Sequence, residues 1–214
     1  ETEPMLGRAL KSVSASGLII GSKAAPSQPG GLSTNGMRSQ LEASLSACGV
    51  SSLGEYYLHQ PDTETSLLES LREAHAMIVD GKIGKIGLSN YHAQEVARAF
   101  ALCDEYGLTK PSIYQGLYNP LNRAVEEELL PVLRQRGCSF VAYNPLAAGL
   151  LTGVHAQGNE VPQGRFKDNP NYLPRFYTDA NFQALQGIVD ACEAEGLHVL
   201  DATYCWMLRH STLS

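Results

Sequence analysis

Short apolar runs in this chain end in residues that can hold or move a proton, or bond an amide: Lys23, His59, Ser89 with Asn90, Gln115 and Tyr143. A lysine desolvated beside an acid lowers that acid's pKa or has its own driven down. A histidine at a strand-to-loop switch can hydrogen-bond a carbonyl. Gln115 sits within an aromatic run, where a buried amide needs partners. Tyr143, followed by Asn144-Pro145-Leu146, can present a flat face to a planar ring. Each also has an ordinary structural alternative. Lys23 can be a surface lysine, His59 a satisfied core histidine and Tyr143 plain core. Ser89-Asn90 can be helix caps or turn formers.

These residues must be positioned by the elements around them. The apolar runs are Gly17–Lys23, Glu55–His59, Lys85–Asn90, Ser112–Gln115 and Ser139–Tyr143. Amphipathic stretches alternate with them. One carries Leu41, Leu45 and Cys48 before Gly49, and another carries Leu67, Leu68, Leu71, Ala74 and Ile78 before Gly81. Ser66 and Glu69 have capping-box spacing. Val96, Phe100 and Cys103 mark a third helix, and Val125, Leu129 and Leu133 a fourth. A polar loop runs from Gly153 to about Asp179, and two further helical patterns follow. Regular strand–helix alternation predicts βαβ units on a parallel sheet. The carboxyl ends of such strands form the active face, where the chemically useful residues fall. Periodicity alone leaves open whether the sheet is doubly wound or part of a barrel.

Composition narrows the function classes. The 214 residues carry a formal charge of −6, with 43% hydrophobic and 18% charged residues. No basic stripe points to nucleic acid. No apolar run approaches the roughly 18 residues of a membrane span. Five scattered cysteines, none in C-x-x-C spacing, read as reduced, mostly buried thiols in a cytosol-like compartment and not as a zinc site. Neither a G-x-G-x-x-G nor a P-loop motif occurs. The small-residue loop Ala147–Gly153 can bring backbone close to phosphates.

An ordered set of segments resembles the aldo-keto reductase superfamily: Ile20-Gly21-Ser22-Lys23, Tyr57–Asp62, Gly87–Tyr91, Tyr114-Gln115-Gly116 and Ala142–Leu146. The continuation Ala148–Gly153, Gly164-Arg165-Phe166 and Tyr172–Phe176 is similar to its aflatoxin-aldehyde reductase branch. The resemblance covers essentially the whole chain as one domain, 1–214. It implies a parallel (β/α)8 TIM barrel binding NADPH at the carboxyl rim and hydride transfer to an aldehyde or ketone. By that matching Lys23 and His59 are catalytic. Ser89, Asn90 and Gln115 hold the nicotinamide carboxamide, and Tyr143 stacks on the ring. The backbone through Asn144, Pro145, Leu146, Gly149 and Leu151 lines the pyrophosphate, with Arg165 beside the cofactor. His59, Tyr172 and Arg175 shape the substrate pocket, where Arg175 can pair with a carboxylate. A homodimer is compatible with the resemblance. A non-catalytic nucleotide-binding subunit, resembling potassium-channel beta subunits, is the alternative.

The resemblance also implies positions with no match among these residues. Glu1–Leu10 resembles the helix after the family's proton-donating Tyr and its Asp, so both are expected before Glu1. About five of eight barrel strands are expected within the chain. The 214 residues alone are therefore expected not to reduce aldehydes, and to leave sheet edges uncovered.

Overall fold

The computed structural model describes residues 2–13, 17–158, 160–161, 163–164, 166–211 and 213. Five strands, β1 (Gly21–Ala24), β2 (Leu53–Leu58), β3 (Ile83–Ser89), β4 (Ile113–Leu117) and β5 (Ser139–Tyr143), form one sheet in the order β1-β2-β3-β4-β5. The pairings from β1 to β4 are parallel. Helices α1 (Thr2–Leu10), α2 (Thr34–Cys48), α3 (Leu67–Val79), α4 (Ala93–Tyr106) and α5 (Leu129–Gln135) alternate with them. After β5 come α6 (Leu173–Phe176), α7 (Asp179–Ala194) and α8 (Val199–Cys205), the last running into a π-helical turn, Trp206–His210. The chain divides into two compact units: residues 1–115 with 129–141, and residues 116–128 with 142–214.

In the first unit the period-2 alternation of strands sorts the side chains. Tyr56, Leu58, Ile86, Leu88 and Tyr114 share one buried face. There the Tyr56 hydroxyl donates to the Met37 carbonyl of α2 at 3.5 Å, and the Tyr114 hydroxyl donates to the Tyr91 carbonyl at 2.7 Å. The other face carries Lys23, Glu55, Tyr57, Gly87, Ser89 and Gln115. Helix entry and exit follow local rules. Ser33 and Ser66 cap α2 and α3 by accepting from the Gly36 and Glu69 amides. Gly49 and Gly107, both left-handed, close α2 and α4.

Three sequence expectations are corrected. β1 begins at Gly21, and Leu18 and Ile19, which read as strand, are exposed. The helix through Val125, Leu129 and Leu133 is two pieces, a 3-10 turn at Ala124–Glu126 and α5. Pro131 lacks an amide hydrogen and is tolerated only in a first turn, so α5 starts just before it. Neither Ser89 nor Asn90 caps α4. His92 is the N-cap, with its amide donating to Glu95 Oε2 at 2.7 Å.

The second unit has its own core of Ala147, Leu150, Leu151, Phe166, Phe176, Phe182, Leu185, Cys192 and Val199. Tyr177 stands edge-on to Phe182 at 4.6 Å. Trp206 stacks on Tyr118 at 5.5 Å. Among the described residues, no helix is long and apolar enough to cross a membrane.

Gly87 pairs with Tyr57, and a Cβ there would fall within the Tyr57 ring. Gly87→Ala is expected to destabilise the protein by about 1–3 kcal/mol through overpacking. The urea unfolding midpoint, at an unchanged slope, reads this out.

Candidate active site

The polar rim of the first unit lies where β1 to β4 end. Lys23 is the third residue of β1, His59 directly follows β2, Ser89 ends β3, and Gln115 lies on β4 opposite Ser89. Ser89 is buried, and Lys23 and Gln115 are half-buried. Asn90 ties two of these ends together. Its side-chain amide donates to the His59 carbonyl at 2.9 Å and to Ser89 Oγ at 3.1 Å. To do so it adopts a left-handed backbone, φ 60°, which asparagine tolerates better than most residues. An N-cap needs an extended backbone, which is why Asn90 cannot serve as one.

Electrostatics at this rim centre on Lys23. Burial lowers its pKa. Partial burial, and then the positive charge of Lys23, lowers the pKa of His59. At neutral pH His59 is therefore an uncharged imidazole, able to donate one hydrogen bond to a carbonyl oxygen. The Lys23 ammonium stands over the Tyr57 ring, 5.4 Å from its centroid.

In the second unit the segment after β5 has an unusual backbone. Among the described non-glycine residues, Asn90, Asn144, Ala147, Ala148 and Asp168 have positive φ, and the first four directly follow β3 or β5. Each such residue costs on the order of 1 kcal/mol or more, and they cluster at functional sites. Leu146 at φ −99°, ψ 21° is followed by Ala147 at φ 49°, and the Ala147 and Gly149 amides donate to the Asn144 and Leu146 carbonyls, each at 2.9 Å. Buried Asn119 holds the bend by donating from its amide to the Asn144 carbonyl at 2.9 Å. Thr152 Oγ1 donates to the Gly149 carbonyl at 2.6 Å. Tyr143, Asn144, Pro145 and Leu146 are half-buried, whereas Leu151 is fully buried. Tyr172 stacks on Phe176 at 5.8 Å, and the exposed Arg175 guanidinium lies 5.3 Å over the same ring. Arg165 lies outside the described residues.

Sequence reasoning reached the strand-end residues but missed the supports behind them. Asn119 carried no motif, and Ala147 and Ala148 hinted at special backbone only through their small size beside Gly149. Glu55 stood only in an apolar run, and Tyr57 only as the first residue of a family-like segment, neither with a role of its own.

A parallel α/β sheet with chemically able residues at the strand ends, and strained backbone after two of them, defines an enzyme-like carboxyl face. The sequence profile of the aldo/keto reductase family matches residues 1–214, and the chain belongs to that family. It is 39% identical over 204 residues to aflatoxin B1 aldehyde reductase member 2 of Mus musculus, covering 91% of this chain and 56% of that protein. Against human aldo-keto reductase family 7 member A3 the figures are 38%, 91% and 62%. The chain thus spans somewhat over half the length of these relatives. Among solved structures, a glycerol dehydrogenase from Gluconobacter oxydans superposes with TM-score 0.78 at 23% identity, over 97% of this chain and 64% of that one. The likeness places the five strands as part of an aldo-keto reductase barrel.

Two outcomes follow at this rim. Asn90→Ala is expected to cost about 1–3 kcal/mol, from lost hydrogen bonds and a left-handed alanine. Denaturant unfolding measures it. Lys23→Met removes a positive charge beside His59, so the His59 pKa is expected to rise towards its ordinary value of about 6.5 in an NMR titration. The sign has a stability consequence. A histidine whose pKa is depressed by folding stabilises the fold above about pH 6.5, and that contribution is lost as pH falls through its folded pKa. His155, lowered by burial, acts in the same direction.

Proposed function

We propose that this chain is part of an NADPH-dependent aldo-keto reductase that reduces aldehydes or ketones to alcohols. The observation that carries the reading is the rim of Lys23, His59, Ser89, Asn90 and Gln115 at successive strand ends. Ser89, Asn90 and Gln115 are the hydroxyl and amide groups a carboxamide needs, offering both donors and acceptors. In the second unit the small residues of Ala147–Gly149 let backbone come close to a phosphate, and Tyr143 suits a planar ring. Each unit by itself thus offers groups that a nicotinamide dinucleotide uses, and the cofactor when bound would supply a hydride.

The protein's own residues do the rest. His59 donates to the carbonyl oxygen and fixes its orientation. Lys23 stabilises negative charge on a neighbouring acid and so lowers its pKa. Tyr172 and Arg175 bound the substrate, the guanidinium pairing with a carboxylate where the substrate has one. The matched relatives' names as reductases support turnover over a purely regulatory nucleotide-binding role. Five free cysteines, four of them buried, support a reducing, cytoplasmic setting.

The test is NADPH consumption with small aldehydes by the full-length protein that contains these residues, since the 214 residues alone are expected not to reduce aldehydes. Lys23→Met and His59→Ala are each expected to lower kcat/KM by about 10²–10⁴. Gln115→Ala is expected to weaken cofactor binding roughly tenfold, the effect of one good hydrogen bond. Both variants turning over at the unmodified rate would contradict the assignment. Saturable cofactor binding without turnover by the unmodified protein would favour the regulatory role.

A further inference from the structure

The face of the sheet that carries Lys23 also carries Tyr57 and Glu55. Lys23 pairs with Tyr57 across β1 and β2, and Tyr57 pairs with Gly87 across β2 and β3. The Tyr57 side chain is buried, and the missing Cβ of Gly87 is what leaves room for its ring. The Tyr57 hydroxyl donates to Glu55 Oε2 at 2.6 Å. Glu55, 18% exposed, is held on its other side by Lys85, whose Nζ lies 3.9 Å from Oε1. The other face of this arrangement is the ammonium of Lys23 above the ring. Among the described residues Lys23 forms no ion pair within 4.0 Å.

We propose that Tyr57 and Glu55 are a positioning pair that fixes the Lys23 ammonium at the rim of the sheet, with the ring as platform and the carboxylate as its brace. The physical basis is polarisation. A phenol donating a short hydrogen bond to a carboxylate gains electron density on its ring, which strengthens the attraction of the ring face for a cation. The charged and titratable groups around Lys23 are Glu55, Tyr57 and His59 from β2 and its end, and Lys85 from β3. Cys138, just before β5, acts on Tyr57. Among the described residues, Glu55 supplies the carboxylate of this set. The proposal rests on the reading of Lys23 as a catalytic group, which gives its position a purpose.

The test is an NMR titration of the Lys23 Nζ and Cε signals in the isotope-labelled protein, assigned with Lys23→Met. Tyr57→Phe keeps the ring and loses the brace, and Glu55→Gln keeps an acceptor and loses the charge. Each is expected to lower the Lys23 pKa by about half a pH unit, the scale of a cation–π contact. The Tyr57→Phe shift is expected to shrink in the Glu55→Gln background, because the two act through one hydrogen bond. An unchanged Lys23 pKa in both single variants, each still unfolding cooperatively, overturns the pair. So do fully additive shifts. The aldehyde-reduction pH profile of the same variants, made in the full-length protein, separates this from the function itself. A shifted Lys23 pKa with an unmoved profile upholds the pair while removing Lys23 from the chemistry.

Discussion

The parallel register of β1 to β4 is the constraint on which the site depends. Pairing Lys23 with Tyr57, Tyr57 with Gly87 and Ser89 with Gln115 sends these residues to one face of the sheet. A slip of one residue on any strand would exchange them for Tyr56, Leu58, Leu88 or Tyr114. The apolar face prevents that slip, since each of those four residues is buried. Asn90 then fixes the ends, bonding the carbonyl of His59 and the hydroxyl of Ser89 from a single amide. Hydrophobic burial on one face thus sets the geometry of the polar groups on the other.

Much of this was legible in the residues. Each strand is a short apolar run ending in a polar residue, and that pattern located the rim at Lys23, His59, Ser89, Asn90 and Gln115. Ser66 three residues before Glu69 marked the start of α3, and Gly107 the end of α4. Other features were hidden for physical reasons. Leu18 and Ile19 have strand-like character, but apolarity alone does not say that a partner is present to bury them. The break before α5 follows from Pro131, whose effect outweighs the periodicity that runs through it. The role of Asn90 depends on a backbone conformation that its residue type permits but does not announce. Tyr57 and Glu55 meet only because residues two apart on a strand share a face.

Backbone strain in the chain is concentrated beside functional groups. Asn90 after β3, and Asn144, Ala147 and Ala148 after β5, hold left-handed conformations, and Asn119 is buried to support one of those bends. That cost is tolerated because both segments are anchored, the first by β2 and β3 and the second by the buried Ala147, Leu150 and Leu151. Family membership accounts for why an α/β sheet without a glycine-rich dinucleotide motif presents such a surface.

The central claim is that a nicotinamide cofactor is held by the residues at the strand ends. The most direct measurement is a titration of the isotope-labelled protein with NADPH, followed through the backbone and side-chain amide signals. The account predicts saturable shifts centred on Ser89, Asn90 and Gln115 in the first unit. Saturable shifts centred instead on the amino ends of the strands, around Leu53 and Ile83, or no saturable shift at all, would contradict it.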